Sequence, residues 1–133
     1  MNGATVKVYS MVKDGADKVA DHFRVREFAC QDGSDVVFLS PTLVEVLEDI
    51  RIHFGKPISV TSGYRTVSHN RKVNGSAHSQ HLYGMAADIV VTDVKPSEVA
   101  AYAEKLLPNT GGIGRYATFT HVDVRAVKSR WKG

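Results

Sequence analysis

The spacing of hydrophobic residues along the chain predicts two well-formed helices. Ser40 precedes Pro41, and the apolar residues that follow recur at mostly helical intervals as far as Gly55. Serine is a favoured N-cap, proline is favoured at the first helical position, and glycine commonly ends a helix. Residues 96–107 carry a second apolar face of the same period. These two segments are therefore expected to pack as amphipathic helices.

Other segments show the shorter spacing that is typical of strands. Strands are predicted at 58–61, where apolar and polar residues alternate, and at the apolar segments 85–91, 112–116 and 118–125. A short helix is predicted at 66–75 and a polar loop at 76–84. Residues 1–35 are irregular in pattern, with a short strand at 6–9 and a helical turn at 17–22. Helices followed by a run of strands indicate an α+β fold with a small antiparallel sheet.

Length and composition fit one ordinary globular domain. The 133 residues, 43% hydrophobic and 23% charged, predict a single domain at 1–133 whose first 23 residues are an irregular lead-in. The lone cysteine, Cys30, cannot form an internal disulfide and excludes a cysteine-rich zinc site. We expect Cys30 to be a small buried hydrophobic residue.

Charge and hydropathy exclude several classes of function. The net charge of +3 is spread along the chain without the basic run of a nucleic-acid-binding arm. No stretch reaches the roughly 18 apolar residues that span a membrane, and the N-terminus lacks the apolar segment of a signal peptide. We therefore expect a monomer that is made in the cytoplasm, or trimmed from a precursor, and that binds no nucleic acid.

Two segments hold candidate metal ligands. His81 lies in the polar loop, and Asp88 follows seven residues later inside an apolar strand, where a carboxylate is costly to bury unless it is paired or binds a metal. In the last predicted strand, alternation places His121, Asp123 and Arg125 on one face. Two imidazoles and one carboxylate are typical of catalytic zinc, with a fourth position left for water whose pKa falls to about 7. Taken singly, residues of these types are more often a surface histidine, an ion-paired aspartate or an exposed strand face than metal ligands.

Several short motifs occur together in a fixed order. They are Ser62-Gly-Tyr-Arg65-Thr66, Ser79-Gln-His81-x-x-Gly84-x-Ala86-x-Asp88, Gly111-Gly-Ile-Gly114 and Phe119-x-His121-Val-Asp123. From about residue 24 to Trp131 the chain resembles the zinc D-alanyl-D-alanine carboxypeptidase family, which includes phage endolysins and cell-wall endopeptidases. That family shares its fold with the hedgehog signalling domain, and the resemblance is strongest to its small bacterial and phage branch.

The resemblance implies roles for individual residues. It implies that His81, Asp88 and His121 hold one zinc ion and that Arg65 reaches the substrate, where a guanidinium binds a carboxylate or stabilises an oxyanion. It does not identify the general base, because Thr118 stands where several branches have an acidic residue and Phe119 stands where others have histidine.

Two of this chain's own side chains are candidates for the missing base. Asp123 is the first, with the alternative that it orients a ligand or Arg65. His78 is a weaker one. His22, His53 and His69 are expected to be structural or to lie on the surface.

The implied function is zinc-dependent hydrolysis of peptidoglycan stem peptides at the cell wall. The bond is D-Ala-D-Ala, a cross-link or L-Ala-D-Glu, and the motifs do not choose among these. We expect the protein to reach the wall by a phage-type lysis route, as part of a virion, or by way of a leader that has been trimmed from the sequence. The alternative is a non-catalytic zinc module that binds the cell wall or a partner, and Thr118 is the feature that favours it.

Overall fold

The computed structural model describes residues 5–133, so the first four residues of the predicted lead-in lie outside the described part. Nine strands and four α-helices follow one another along the described chain. The strands are β1 (Lys7–Ser10), β2 (Lys18–Ala20), β3 (Phe23–Arg24), β4 (Val36–Leu39), β5 (Ile58–Ser62), β6 (Ala86–Val91), β7 (Gly112–Arg115), β8 (Thr120–Asp123) and β9 (Ser129–Lys132). The helices are α1 (Met11–Asp14), α2 (Pro41–Phe54), α3 (Val67–Lys72) and α4 (Pro96–Leu106), with 3-10 turns at Val25–Phe28 and Gln80–Tyr83.

A five-stranded sheet carries the later motifs. Its strand order is β5-β6-β8-β7-β9, and all neighbouring strands are antiparallel except β7 and β9. Strands β1 with β4 and β2 with β3 form two small antiparallel pairs. In the register of the central strands, Asp88 of β6 lies opposite His121 of β8. The predicted α+β class and its small sheet are confirmed.

Helix α2 begins and ends where its sequence predicts. The Ser40 hydroxyl accepts a hydrogen bond from the Leu43 amide (3.3 Å), and Gly55 ends the helix in the left-handed conformation (φ 63°). Most of its apolar face is buried, although Ile52 is exposed, and each large aliphatic side chain buried there contributes about 1.5–3 kcal/mol. The buried residues of this face are Leu43, Val44, Val46, Leu47 and Ile50. Helix α4 packs against α2 and the sheet through Val99, Ala100 and Ala103.

The segment before residue 36 is more regular than its sequence pattern predicts. The helical turn expected at 17–22 is wrong, because Lys18–Ala20 is a strand that pairs with Phe23–Arg24. Phe23 of the pairing strand is buried in the core, so this stretch is held extended by contacts that outweigh its local preference. The strand expected at 6–9 is present as β1, and a short helix follows it.

Two further differences concern the functional half of the chain. The loop expected at 76–84 contains the 3-10 turn Gln80–Tyr83, and the last strand, β9, has no counterpart among the predicted elements. Strand β9 pairs in parallel with β7, a contact between segments that a local pattern does not reveal. Within the described residues no helix is long and apolar enough to cross a membrane.

Candidate metal centre

The position of His81 is set by its local backbone and by Gly63. The 3-10 turn that carries His81 is capped by the Ser79 hydroxyl, which accepts from the His81 amide (3.2 Å), and ends at Gly84 with φ 69°. Any Cβ at Gly84 would lie 2.2 Å from the Phe38 carbonyl oxygen, so only glycine fits there. His81 Nδ1 lies 2.8 Å from the Gly63 carbonyl oxygen. Because a carbonyl only accepts, Nδ1 of the neutral ring carries the proton, and the lone pair of Nε2 is available to a cation.

The three predicted ligands converge in the interior. Asp88 Oδ1 lies 3.3 Å from His81 Nε2 and 3.0 Å from His121 Nδ1, and one donor atom from each residue falls within 4.8 Å of the others. All three side chains are buried. The structure thus brings together residues that are up to 40 positions apart in the sequence.

The protonation pattern shows that this cluster fits a cation. His121 Nε2 lies 2.8 Å from the carboxylate of Asp123, which only accepts, so in a neutral ring the proton sits on Nε2. Neutral His81 and His121 both then direct a lone pair at the Asp88 carboxylate. Acceptors facing one another in a buried site need a proton or a metal ion between them. Two imidazole nitrogens and one carboxylate oxygen are the donor set that zinc prefers.

The electrostatics of the cluster keep Asp88 ionised. Burial raises the pKa of Asp88, but the hydrogen bonds with His121 and His81 outweigh it, and the net pKa lies well below that of a free aspartate. Burial likewise opposes protonation of His121, yet its contacts with Asp123 and Asp88 leave the pKa of His121 raised. The ionised Asp88 carboxylate and the imidazole rings of His81 and His121 therefore face the same point.

Asp123 contacts the ring nitrogen of His121 that faces away from Asp88. It is fully buried, and its carboxylate receives the Arg125 guanidinium at two points (Nε–Oδ1 2.9 Å, Nη2–Oδ2 2.7 Å) as well as His121 Nε2. A Cβ at Gly112 would lie 2.2 Å from Asp123 Oδ2, so a glycine is needed beside it. His121 and Asp123 lie on one face of β8 as expected, whereas Arg125 lies beyond the end of the strand and reaches Asp123 with its side chain. Asp123 contacts the ring nitrogen opposite the one that faces Asp88, which favours the orienting role over that of general base.

Arg65 contacts the Asp88 oxygen that does not face the two histidines. Its guanidinium donates from Nε to Ser62 Oγ (3.0 Å) and from Nη1 to Asn70 Oδ1 (3.2 Å), and Nη2 lies 3.5 Å from Asp88 Oδ2. Arg65 also lines a cleft of about 400 Å³ into which the ligand cluster opens. It is thus placed beside the cluster and in contact with the space that a substrate would fill.

Three aromatic residues line this cleft, and the sequence motifs did not indicate two of them, Tyr116 and Trp131. Tyr116 and Phe119 stack with ring centroids 4.3 Å apart, and Trp131 Nε1 donates to the Tyr116 hydroxyl (2.9 Å). The Trp131 ring lies 4.9 Å from that of His121. A Cβ at Gly114 would lie 2.6 Å from the indole, so the last glycine of the Gly-Gly-Ile-Gly motif makes room for Trp131.

The remaining histidines and the cysteine lie outside the ligand cluster, and His69 is a half-buried residue of α3. His78 is exposed and lines the cleft. His22 contacts Glu48, and His53 stacks on a tyrosine ring away from the cleft. Cys30 is buried and unpaired, as predicted.

Comparisons with known proteins identify the family. The family model described as peptidase M15 matches residues 20–123, and the chain belongs to this family, as its motifs predicted. It is 35% identical over 105 residues to the Haemophilus influenzae protein named "Probable peptidoglycan L,D-endopeptidase MepK", covering 71% of this chain and 55% of that protein. It is 50% identical over 34 residues to the zinc D-Ala-D-Ala carboxypeptidase of Streptomyces albus G, covering 26% of this chain and 13% of that enzyme. The chain thus spans about half, or less, of the length of these relatives.

Proposed function

We propose that this chain is a zinc-dependent hydrolase of peptide bonds in peptidoglycan stem peptides. The observation that carries the proposal is the convergence of His81, Asp88 and His121, as buried acceptors, at the edge of a cleft. Family membership supports a peptidase, and the names of the two relatives support peptidoglycan as the substrate and zinc as the metal. Because all three ligands come from one chain, we infer that the monomer is sufficient for activity.

Each residue of the site has a defined task in this proposal. Zinc, when bound, acts as a Lewis acid and activates water for attack on the scissile amide. His81 and His121 are held in the tautomers that bind metal by Gly63 and Asp123. Arg65 grips a substrate carboxylate or the carbonyl oxygen that gains charge during attack.

The residue that transfers the proton is inferred from its position in the cleft. Asp123 was the first candidate for the base from sequence, but its buried position behind His121 supports an orienting role instead. His78 is the imidazole outside the ligand set that lines the cleft. We propose that His78 moves the proton, and His78→Ala is expected to slow turnover about 10²-fold or more while zinc is retained.

The test uses purified peptidoglycan digested with the zinc-loaded protein, with a chelator, and with zinc restored. Released D-alanine and new amino termini are measured, and mass spectrometry of the muropeptides identifies the bond that is cut. Cleavage that the chelator abolishes and zinc restores is the expected result. His121→Ala, which removes a ligand, is the matched inactive control.

Unchanged wall peptides in the presence of fully zinc-loaded protein would refute the hydrolase. Retention of that protein on the wall would then favour the binding module, for which the absence of a carboxylate at Thr118 is the supporting observation.

A further inference from the structure

Asn70 is a buried polar residue of α3 that lies behind Arg65. The residue is only 4% exposed, and both the oxygen and the nitrogen of its side-chain amide make hydrogen bonds. Oδ1 accepts from Arg65 Nη1 (3.2 Å), and Nδ2 donates to the Ser76 carbonyl oxygen (2.9 Å). A guanidinium only donates and a carbonyl only accepts, so the orientation of this amide is fixed by its partners.

The same residue holds one edge of the cleft, formed by residues 73–76, which we call the cleft lip. The Asn70 carbonyl oxygen accepts from the Gly75 amide (2.8 Å), and Asn74 turns the chain with φ 59°. A Cβ at Gly75 would lie 2.0 Å from Asn70 Oδ1 and 3.0 Å from Arg65 Nη1. The cleft lip therefore packs directly on the contact between Asn70 and Arg65.

Three different groups restrain the Arg65 guanidinium. Nε donates to Ser62 Oγ, Nη1 donates to Asn70 Oδ1, and Nη2 lies near Asp88 Oδ2. A long arginine side chain loses rotamer freedom when it is fixed in one pose. Partners that fix it before substrate arrives remove that cost from binding and from the transition state. Of these three partners, Asn70 also donates a hydrogen bond to Ser76 in the cleft lip.

We propose that Asn70 is a positioning residue that couples Arg65 to the cleft lip. It fixes the guanidinium beside Asp88 and sets the width of the cleft on that side. This inference rests on the proposed function for its kinetic consequence, but the restraint on Arg65 can be measured without any turnover.

The experiment compares three variants in the zinc-loaded protein. Asn70→Ala removes both side-chain contacts. Asn70→Asp keeps the acceptor for Arg65 but places an oxygen against the Ser76 carbonyl. Lys72→Ala is the matched control, an exposed position on the same helix that does not line the cleft.

Two readouts are taken from each variant. The first is the rotation rate of the Arg65 guanidinium, followed by nitrogen NMR at Nε and assigned with Arg65→Lys. The second is steady-state kinetics on the stem peptide L-Ala–D-Glu–diaminopimelate–D-Ala–D-Ala. Zinc content and far-ultraviolet circular dichroism establish that each variant is folded and loaded.

We expect Asn70→Ala to speed Arg65 rotation at least tenfold and to lower kcat/KM about 10- to 100-fold. Asn70→Asp should keep Arg65 rotation slow while kcat/KM still falls, because the side-chain hydrogen bond to the Ser76 carbonyl of the cleft lip is lost although the backbone bond to Gly75 remains. Lys72→Ala should match the wild type. Slow Arg65 rotation in folded, zinc-loaded Asn70→Ala would overturn the inference. Failure of the wild type to cleave any peptide would instead refute the proposed function, and the NMR comparison would still decide the role of Asn70.

Discussion

Replacing Asp123 with asparagine separates the two roles open to this carboxylate. Asparagine has nearly the same shape, but it offers one acceptor where Asp123 accepts from both His121 and Arg125. His121 then loses the charged partner that fixes its tautomer and its orientation. Removal of such a partner typically weakens metal binding 10- to 100-fold. That factor corresponds to about 1.4–2.7 kcal/mol of zinc affinity at 25 °C.

The cost to folding should be moderate. A buried charge that loses its partner costs about 3–5 kcal/mol. The Arg125 side chain is 29% exposed and can turn toward water. We therefore expect Asp123→Asn to lower the free energy of unfolding by about 1–3 kcal/mol in the metal-free protein.

The assay is a competition titration of zinc against a chromophoric chelator, followed by kinetics at saturating zinc. We expect weaker zinc binding, with much of the turnover recovered once zinc saturates the site. Asp49→Asn, an exposed carboxylate on α2, is the matched control and should change neither quantity. If zinc affinity is unaltered while turnover slows about 10³-fold or more, the orienting role is refuted and Asp123 becomes the general base.

Three further outcomes are expected. Arg65→Ala should retain zinc, measured by mass spectrometry, and lose at least about 10²-fold in kcat/KM, and wild-type turnover would refute its role. Gly114→Ala should lower the urea midpoint, with a loss of about 1–3 kcal/mol, because its methyl group displaces Trp131; an unchanged midpoint would contradict the close packing seen at this strand. In the metal-free protein the raised pKa of His121 contributes stability that is present below about pH 6.5 and is lost as pH rises through the folded pKa. Urea unfolding should therefore show lower stability at pH 8 than at pH 6, a difference that His121→Gln should reduce.

Local chemistry made much of the scaffold predictable. Helix α2 carries its cap, its proline and its terminating glycine in the sequence, and all three act as their residue types indicate. Strand alternation placed His121 and Asp123 on one face, and their contact follows from that period alone. These features depend on neighbours within a few positions, which is why a pattern reveals them.

Long-range contacts made the rest unpredictable. Trp131 lies in the cleft because β9 pairs in parallel with β7. Gly114 makes room for its ring, but the sequence pattern does not indicate which side chain packs against that glycine. The tautomer of His81 is fixed by the Gly63 carbonyl, 18 residues away. Lys18–Ala20 is a strand and not part of a helical turn because it pairs with Phe23–Arg24, whose Phe23 is buried in the core. Each of these outcomes is decided by packing between distant segments.

The central claim is that His81, Asp88 and His121 together hold one zinc ion with a coordination position left for water. An anomalous difference map from zinc-soaked crystals, recorded at the zinc edge, tests this directly. We predict a single strong peak about 2.0–2.2 Å from His81 Nε2, an Asp88 carboxylate oxygen and His121 Nδ1, with a water as the fourth ligand. A peak elsewhere, or a fourth protein ligand closing the site, would contradict the account.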